Sequence, residues 1–272
     1  MNKGLYYREA GEGQPIVFLH GMLGSGLYWR EQMELLKDRH HVIALDLLGF
    51  GRSPKPSNLK YDRDDHINYI LKTLDAIGIK TPITLVGHSM GALLALSLTT
   101  KYPEKISRLV LISMPIYKNA TEAQREITQS KIVPRFMYYG PTARVICSAM
   151  GMLRPLAQIL APLYFKHLPK DVARDATRHT WFSYSRSMEN IIENQNVLAD
   201  LRKVKVPVLV LFGAQDAVVK STNLEEIKLC CKDIEVRLLN ATHHLPLEAP
   251  KQTAQFINNM IEKPDKIRGD EL

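Results

Sequence analysis

Gly87-His88-Ser89-Met90-Gly91 is the stretch that decides the fold, because it joins a strand pattern directly to a helix pattern. The run Ile83–Val86 before it is short and apolar, as a buried strand is, and residues 91–101 after it are apolar nearly all round, as a buried helix is. A serine on so sharp a turn has strained dihedrals, and it needs glycine two positions before and after it. The stretch predicts that Ser89 is an enzymatic nucleophile; the alternative is a plain strand–helix turn that contains a serine.

Strands and helices alternate on both sides of this turn, which indicates a sheet whose strands run mostly parallel. The predicted strands are residues 16–19, 42–45, 83–86, 109–112, 208–212 and 235–239. The predicted helices include residues 62–77, 91–101, 221–231 and 251–262. The predicted fold class is therefore α/β, with a mostly parallel central sheet and helices on both of its faces.

Residues 117–200 interrupt this alternation. They contain no strand pattern, and five prolines between Pro134 and Pro169 divide them into several helical patterns. Because the strand pattern resumes at Val208, the segment is an insertion into one domain and not a second domain in tandem. We predict a core domain of residues 1–116 and 201–272, with residues 117–200 forming a helical cap.

A serine hydroxyl is a weak nucleophile until a base accepts its proton, and histidine is the usual base. His243 and His244 follow the last predicted strand, at the carboxyl edge of the sheet where sites in such folds gather. Their position alone leaves both of them open as the base. Five of the other histidines lie in polar or helical settings and are expected at the surface: His40, His41, His66, His167 and His179.

An acid must orient that base, and Asp216 directly follows the predicted strand 208–212. Its place between Ser89 and the two candidate histidines gives the chain order Ser, Asp, His. The turn after strand 109–112 offers no acid, which favours Asp216 further. A turn aspartate that only caps the next helix is the alternative.

The turn His20-Gly21-Met22-Leu23-Gly24 follows the first predicted strand. Such a turn can aim a backbone N–H at the oxyanion that forms when a carbonyl is attacked, and its glycines let the backbone approach the substrate closely. We predict an oxyanion hole made by the backbone N–H groups of Met22 and Met90. A tight turn with a purely structural role is the alternative.

Together these motifs resemble the α/β-hydrolase superfamily, in its capped serine hydrolase or carboxylesterase-like branch. The resemblance covers nearly the whole chain and includes the D-x-x-G-x-G-x-S loop at residues 46–53. It implies a cap inserted after strand six of the sheet. It also implies that the catalytic histidine stands five positions before Glu248, which selects His243 over His244, although Thr242 occupies the place of the usual glycine.

The resemblance also restricts the reaction. Haloalkane dehalogenases and epoxide hydrolases carry an aspartate where this chain has Ser89, and C–C hydrolases often carry Asn and Trp where it has His88 and His244. We therefore predict hydrolysis of carboxylic esters through an acyl-enzyme, without a metal ion or organic cofactor. The alternatives are a C–C bond hydrolase of ring-cleavage products, a thioesterase or a lactonase on the same triad. A slow-turnover ligand-binding receptor with this fold is the alternative from another class.

The middle of the predicted cap is apolar and rich in methionine, which suits variable apolar ligands. It favours hydrophobic acyl or aryl esters as substrates; the alternative is that these residues only pack the cap against the sheet. The predicted pocket residues are Leu23, Met137, Tyr138, Met150, Met152 and Trp181.

The bulk composition sets the remaining expectations. The net charge of +8 is spread along the chain without a basic run, so we expect no nucleic-acid partner. The first residues lack the apolar stretch of a signal peptide, and no stretch is long and apolar enough for an integral membrane segment. Three cysteines, two of them adjacent, do not make a disulfide framework. We expect a cytoplasmic enzyme, monomer or homodimer, whose partner is a small-molecule ester.

Overall fold

The computed structural model describes residues 4–129, 140–218, 221–230 and 234–263. Its centre is a seven-stranded sheet with the order β1-β3-β2-β4-β5-β6-β7. The strands are β1 Tyr7–Ala10, β2 Gln14–Leu19, β3 His40–Leu45, β4 Ile83–His88, β5 Ile106–Ile112, β6 Val208–Gly213 and β7 Glu235–Leu239. β1 is antiparallel to β3, and every other neighbouring pair is parallel. The predicted α/β fold with a mostly parallel sheet is confirmed.

Helices surround this sheet in the described part of the chain. They are α1 Arg30–Leu36, α2 Arg63–Ala76, α3 Met90–Lys101, α4 Ala120–Gln129, α5 Pro141–Met152, α6 Arg154–Tyr164, α7 Lys170–Asp175, α8 Trp181–Ser187, α9 Val197–Lys203, α10 Ser221–Cys230, α11 Leu245–Glu248 and α12 Pro250–Glu262. Gly26–Trp29 and Pro103–Lys105 form 3-10 turns, and Met188–Glu193 forms a π-helical turn directly after α8.

The local signals of the sequence explain where the helices begin and end. The side chain of Asp62 accepts a hydrogen bond from the backbone N–H of Asp65 and so caps α2, which ends before Gly78 at a φ of +79°. α3 is buried along nearly its whole length because it lies in the layer between the sheet and other helices. Apolar residues on both faces of the strands complete two cores, one on each side of the sheet.

The antiparallel edge strand β1 was not among the predicted strands. Its four residues Tyr7-Arg8-Glu9-Ala10 are mostly half-buried and carry two charges, so they lack the apolar run by which the central strands are recognised. β1 is held by its pairing with β3, in which Tyr7 lies opposite Leu45. Such pairing is a property of the assembled sheet and leaves little trace in a four-residue sequence.

The long segment between β5 and β6 is helical in its described residues, from α4 to α9. The resemblance implied an insertion after strand six; in this structure the strand before these helices is the fifth of seven in chain order. α9 packs on α3 as the ordinary crossover helix between the two parallel strands, so the additional helices precede it.

Polar contacts join the inserted helices to loops of the core. The guanidinium of Arg186 donates a hydrogen bond of 2.8 Å to the carbonyl of Ser57, and that of Arg63 donates one of 2.7 Å to the carbonyl of Asn194. A Cβ at Gly49 would stand 2.3 Å from the Cβ of Ser183, so only glycine allows this close approach. Among the described helices, none is long and apolar enough to cross a membrane alone. Only α5 and α6 together have that length and composition, and the two are bent by 115° relative to each other.

Three histidines expected at the surface are buried instead: His40, His66 and His179. His66 is on the side of α2 that faces the inserted helices, where its Nε2 is 3.3 Å from the hydroxyl of Ser187. Burial lowers the pKa of His66 from 6.5 to about 3, with a smaller contribution from nearby His20. The expectation failed because the sequence around these histidines does not reveal which element covers them: His40 is in β3 and its Nε2 lies 3.0 Å from Asn258 Oδ1 of α12, whereas the inserted helices cover His66.

The neutral state of His66 predicts a loss of stability in acid. The unfolded chain binds a proton at His66 below about pH 6.5, whereas the folded protein does so only near pH 3. The contribution of neutral His66 to the free energy of unfolding is therefore complete above the unfolded pKa and is lost as the pH falls below it. From about pH 7 to about pH 5 this group alone should lower the free energy of unfolding by about 2 kcal/mol. His66→Gln keeps a hydrogen-bonding group near Ser187 but cannot titrate, so urea unfolding at both pH values should show a correspondingly weaker dependence. The comparison at the higher pH controls for the cost of the substitution itself, and equal pH dependence in both proteins would contradict the prediction.

Candidate active site

Ser89 occupies the turn between β4 and α3 in a strained conformation, with φ 53° and ψ −119°. Its backbone N–H donates a hydrogen bond of 2.9 Å to the carbonyl of Ile112 at the end of the neighbouring strand β5. A Cβ at Gly87 would stand 2.3 Å from the carbonyl oxygen of Gly91, and one at Gly91 would stand 2.3 Å from that of Leu19. The two glycines are therefore required by close backbone packing, which holds the turn in its strained form.

A chain of hydrogen bonds joins the three side chains that the sequence proposed as a triad. Ser89 Oγ lies 3.1 Å from His243 Nε2, and His243 Nδ1 lies 2.9 Å from Asp216 Oδ2. The Asp216 side chain is fully buried and that of His243 is 10% exposed. A carboxylate only accepts hydrogen bonds, so His243 Nδ1 carries a proton and Nε2 of the neutral ring is free to accept the proton of Ser89.

The turn after β6 holds Asp216 in place. The backbone N–H groups of Ala214 and Gln215 donate to the carbonyls of Leu239 and Ala241, at 2.7 and 2.9 Å, so this turn is attached to the end of β7. The backbone N–H of Val218 donates to Asp216 Oδ1 at 2.8 Å. The carboxylate therefore has a fixed orientation toward the histidine loop.

The loop that carries His243 is closed by Glu248. The backbone N–H of Thr242 donates a 2.7 Å hydrogen bond to Glu248 Oε2, and the Thr242 hydroxyl donates a short one to Oε1. Threonine at the place of the usual glycine therefore adds a hydroxyl contact to the backbone contact. Because Thr242 directly precedes His243, its two hydrogen bonds to Glu248 close the loop that carries the histidine.

His88, directly before the serine, contacts the backbone of the loop that carries His243. The carbonyl of His243 can only accept, so His88 Nε2 carries the proton and donates it over 2.8 Å. Burial lowers the pKa of His88 well below its usual value, and the neighbouring His243 lowers it further, so the ring is neutral. His88 thus fixes the backbone of the residue whose side chain meets Ser89.

Tyr28 extends this contact to the second histidine of the pair. Its ring stacks on His88 with centroids 4.7 Å apart, and its hydroxyl lies 3.3 Å from His88 Nε2 and 3.4 Å from His244 Nδ1. The single proton of His88 Nε2 goes to the His243 carbonyl, which is its shorter contact, so the Tyr28 hydroxyl directs its own proton to His244 Nδ1. Burial and the adjacent His243 lower the pKa of His244 to about 3. His244 therefore faces Tyr28, and of the two candidate bases it is His243 that lies against the serine.

The turn after β2 lies against Ser89. A Cβ at Gly21 would stand 3.1 Å from the Cβ of Ser89. The carbonyl of Gly21 accepts hydrogen bonds from His20 Nδ1 at 2.7 Å and from the backbone N–H of Gly24 at 3.1 Å. A trans peptide points its C=O and N–H in opposite directions, so the N–H of Met22 faces away from these donors. Met90 is the first residue of α3, whose first N–H groups have no acceptor within the helix.

The loop after β3 holds this turn from behind. His20 Nε2 accepts a 2.9 Å hydrogen bond from the backbone N–H of Leu47. The buried carboxylate of Asp46 accepts from the backbone N–H groups of Gly26, at 2.6 Å, and Arg52, at 2.7 Å. The D-x-x-G-x-G-x-S loop at residues 46–53 therefore holds the turn at residues 20–26 in position.

A cavity of about 420 Å³ lies beside the turn and among the inserted helices. Its lining is almost entirely apolar and consists of Leu23, Ile146, Cys147, Ala149, Met150, Leu153, Leu156, Ala157, Leu160, Ala161, Tyr164, Phe165, Ala176, Thr177, His179 and Tyr184. Leu23, one of the lining residues, directly follows Met22 in the turn against Ser89, and no side chain of the candidate triad lines the cavity. Phe165, another lining residue, contacts His167, which stacks on His244 at 5.1 Å.

The predicted pocket residues are distributed unevenly around this cavity. Leu23 and Met150 line it. Met152 does not, because it lies at the outer end of α5 with 84% of its surface exposed, and Trp181 does not, because it packs against the core beside Tyr184. Met137 and Tyr138 lie outside the described residues.

Two residues of the site were missed by the reasoning from sequence. His88 was treated only as part of the turn motif, although a buried imidazole needs a hydrogen-bond partner and its position beside the serine limits the choice. The ring of Tyr28 packs on Trp29, as an aromatic residue commonly does, but its hydroxyl faces both histidines. No local pattern marks Tyr28, because the contact depends on where the 3-10 turn meets the loop after β7.

A family model described as the alpha/beta hydrolase fold matches residues 14–250 of the chain. The chain belongs to the α/β-hydrolase family. The match extends from β2 into the loop that ends at Glu248 and includes every residue of the candidate triad.

Individual relatives of this α/β hydrolase carry different names. A probable lysophospholipase of Arabidopsis thaliana, BODYGUARD 4, is 28% identical over 248 residues, which are 85% of this chain and 60% of that protein. The 2-hydroxy-6-oxo-6-(2'-aminophenyl)hexa-2,4-dienoic acid hydrolase of Metapseudomonas resinovorans is 29% identical over 227 residues, which are 78% of this chain and 71% of that protein. The α/β hydrolase therefore spans less than two thirds of the length of the plant relative.

The fold of this α/β hydrolase also matches solved structures. The structure of E-2-(acetamidomethylene)succinate hydrolase aligns with a TM-score of 0.75 and 22% identity, covering 95% of each chain. At this identity the agreement concerns the fold alone.

The contact between His88 and the carbonyl of His243 predicts that His88 is a positioning residue. In His88→Leu the donor is lost, so His243 should shift and a fluorophosphonate should label Ser89 about ten- to a hundredfold more slowly. The midpoint of the pH profile of labelling should shift in the same variant. His88→Gln supplies an amide N–H in place of the imidazole donor and should recover most of the rate and the original midpoint.

Unfolding curves of both His88 variants serve as the control for folding. Equal loss in His88→Leu and His88→Gln, or no loss in either, would exclude a role for the donated hydrogen bond.

Proposed function

We propose that this α/β hydrolase cleaves carboxylic esters with hydrophobic acyl or aryl groups through an acyl-enzyme intermediate. The observation that carries the proposal is the hydrogen-bonded chain from Ser89 Oγ through His243 to Asp216, with contacts of 3.1 and 2.9 Å. A serine with an imidazole nitrogen at this distance, in a ring that is itself oriented by a buried carboxylate, has the arrangement needed for nucleophilic catalysis.

In the first half-reaction Ser89 Oγ attacks the acyl carbon while its proton moves to His243 Nε2. The imidazolium that forms is stabilised by the Asp216 carboxylate at Nδ1, and Asp216 itself stays ionised. The tetrahedral intermediate then collapses, and the alcohol leaves with the proton that His243 returns to it. The acyl group remains bound to Ser89 as an ester.

The oxyanion of each tetrahedral intermediate is assigned to the backbone N–H groups of Met22 and Met90. The close approach of Gly21 to Ser89 and the place of Met90 at the start of α3 support this assignment. Two donors fixed in a water-poor site need no reorganisation as the charge develops, and losing one such donor typically costs about 10²- to 10³-fold in turnover.

In the second half-reaction water takes the place of the alcohol. His243 removes a proton from the water as it attacks the acyl carbon, and then returns that proton to Ser89 Oγ as the carboxylic acid leaves. The chemistry assigns every proton to a side chain of the triad, so the proposal includes no metal ion or cofactor.

The apolar cavity supports a hydrophobic acyl group as the part of the substrate that is bound. Its volume lies within the range of small-molecule sites, and its walls offer almost no hydrogen-bonding partner for a polar ligand. We assign residues 117–200 to a cap over the site, since α5 and α6 supply most of the cavity wall. The name of the plant relative, a probable lysophospholipase, agrees with a long acyl chain.

The name of the bacterial relative favours a second candidate, hydrolysis of a C–C bond in a ring-cleavage product. Both reactions begin with a carbonyl group held against Ser89, but a C–C hydrolase must also protonate a carbon leaving group. A direct comparison of an aryl ester with a vinylogous diketone acid therefore separates the two proposals.

Ser89→Ala should reduce hydrolysis of medium-chain esters by a factor on the order of 10⁴ or more, because the covalent intermediate cannot form. Ser113→Ala is the matched control, since Ser113 is also a buried serine with positive φ at the end of a strand. It should keep the wild-type rate. The measurement is kcat/KM for esters, thioesters, lactones and the diketone acid, with the acyl-enzyme detected by mass spectrometry.

Three results of this panel would overturn the ester proposal. They are unchanged ester hydrolysis in Ser89→Ala, a diketone acid consumed faster than every ester, and labelling of Ser89 without sustained turnover of any substrate. The last result would favour a ligand-binding receptor.

Filling the cavity should shorten the preferred acyl chain. Ala157 lines the cavity, so Ala157→Phe should lower kcat/KM for an octanoyl ester at least about tenfold relative to the acetyl ester. Val145→Phe introduces the same side chain on the outer side of α5, where 66% of Val145 is exposed, and should leave the ratio unchanged. A wild-type preference for acetyl esters, or an unchanged ratio in Ala157→Phe, would contradict the assignment of the acyl site.

A further inference from the structure

The inserted helices carry an unusual concentration of exposed apolar side chains. Of the eleven large hydrophobic residues that are exposed in the described chain, eight lie between residues 145 and 164. We call these eight the outer apolar face: Val145, Met152, Leu153, Leu156, Ile159, Leu160, Leu163 and Tyr164. Single exposed apolar residues are ordinary, whereas a continuous exposed face marks a surface that binds something.

On α6 the outer apolar face follows the period of a helix. Leu156, the pair Ile159 and Leu160, and the pair Leu163 and Tyr164 stand at intervals of three and four residues, which places them along one side. In the folded chain this side faces outward. A helix that presents its apolar stripe to the outside needs a partner of low polarity.

The stretch of sequence that contains this face carries charges of one sign. From Ile127 to Lys170 the sequence holds six Lys and Arg residues and no Asp or Glu. Among the described ones Arg144, Lys166 and Lys170 are exposed. Each basic residue held close to an anionic lipid surface contributes about 1 kcal/mol of attraction.

A second copy of this chain is disfavoured as the partner by the same charges. A symmetric dimer through the outer apolar face would bring two acid-free basic segments together, and like charges across an interface oppose association. An anionic bilayer complements both features of the segment. Its apolar interior accepts the exposed apolar side chains, and its negative headgroups attract the basic residues.

The outer apolar face is continuous with the wall of the cavity. Leu153, Leu156, Leu160 and Tyr164 belong to both sets: they line the cavity and are each about half exposed or more. These residues therefore form an apolar rim between the outer surface and the cavity.

We propose that α5 and α6 dock this protein on the surface of a bilayer that carries anionic lipids. The two helices have 12 and 11 residues and meet at a bend of 115°, so they lie at the interface and do not cross it. Docking places the rim against the acyl region, and the acyl chain of a membrane lipid enters the cavity there. This last step rests on the proposed function, whereas docking itself does not.

The test measures binding of Ser89→Ala to equimolar vesicles of phosphatidylcholine and phosphatidylglycerol by co-sedimentation, so that no lipid is hydrolysed. The expected result is binding that is at least about tenfold tighter than to pure phosphatidylcholine and that weakens with added salt. Adding Ile159→Asp and Leu163→Asp should reduce binding at least about tenfold, because both side chains lie on the face but not in the cavity wall. Leu35→Asp is the matched control, since Leu35 is a helical leucine that is 48% exposed elsewhere on the fold.

Hydrolysis of a short, freely dissolved ester by the same surface variants on the wild-type background separates the two proposals. It should be unchanged in Ile159→Asp with Leu163→Asp, while hydrolysis of lipid in the mixed vesicles falls. Docking is overturned if the double variant binds vesicles as well as the Leu35→Asp control does, or if Ser89→Ala does not bind the mixed vesicles. It is also overturned if the double variant abolishes a dimer seen by sedimentation without changing vesicle binding.

Discussion

The strained backbone of Ser89 is the constraint on which the rest of the site depends. A residue held at φ 53° between a strand and a helix costs about 1–3 kcal/mol, and it persists only where the surroundings leave no alternative. Here Gly87 and Gly91 allow β4, α3 and the end of β2 to approach until an added Cβ would collide with backbone. The burial of α3 in the core provides the free energy that maintains the strain.

The loops around this turn are fixed to one another and not only to the sheet. His20 and Asp46 connect the loops after β2 and β3, and His88 connects the end of β4 to the loop after β7. The turn with Asp216 is bonded to that same loop through backbone amides. Most of these contacts use a buried side chain to satisfy a backbone N–H or C=O of another loop, which fixes loop positions more firmly than surface pairing does.

The parts of this arrangement that have local signals could be predicted from the sequence. Apolar β-branched runs predicted six of the seven strands, and the positions after two of these runs pointed to Asp216 and to the pair His243 and His244. The resemblance then selected His243, which is the histidine that meets Ser89. The contacts of His66 and Tyr28 could not be predicted, because they arise where an inserted helix or a 3-10 turn covers another element. The same reason explains Met152: its sequence context is that of Met150, but one lies on the cavity side of α5 and the other at its outer end.

The position of the inserted helices has a consequence for how such a protein evolves. The β5–α9–β6 crossover is a complete unit without them, since α9 alone returns the chain to the start of β6 and packs on α3. Selection can therefore lengthen, shorten or replace α4 to α8, while the strained turn of Ser89 and the loops that hold it stay under separate selection. The exposed face of α5 and α6 and the cavity that they wall would then change together, since one pair of helices forms both, while the strained turn and the loops around it are inherited unchanged.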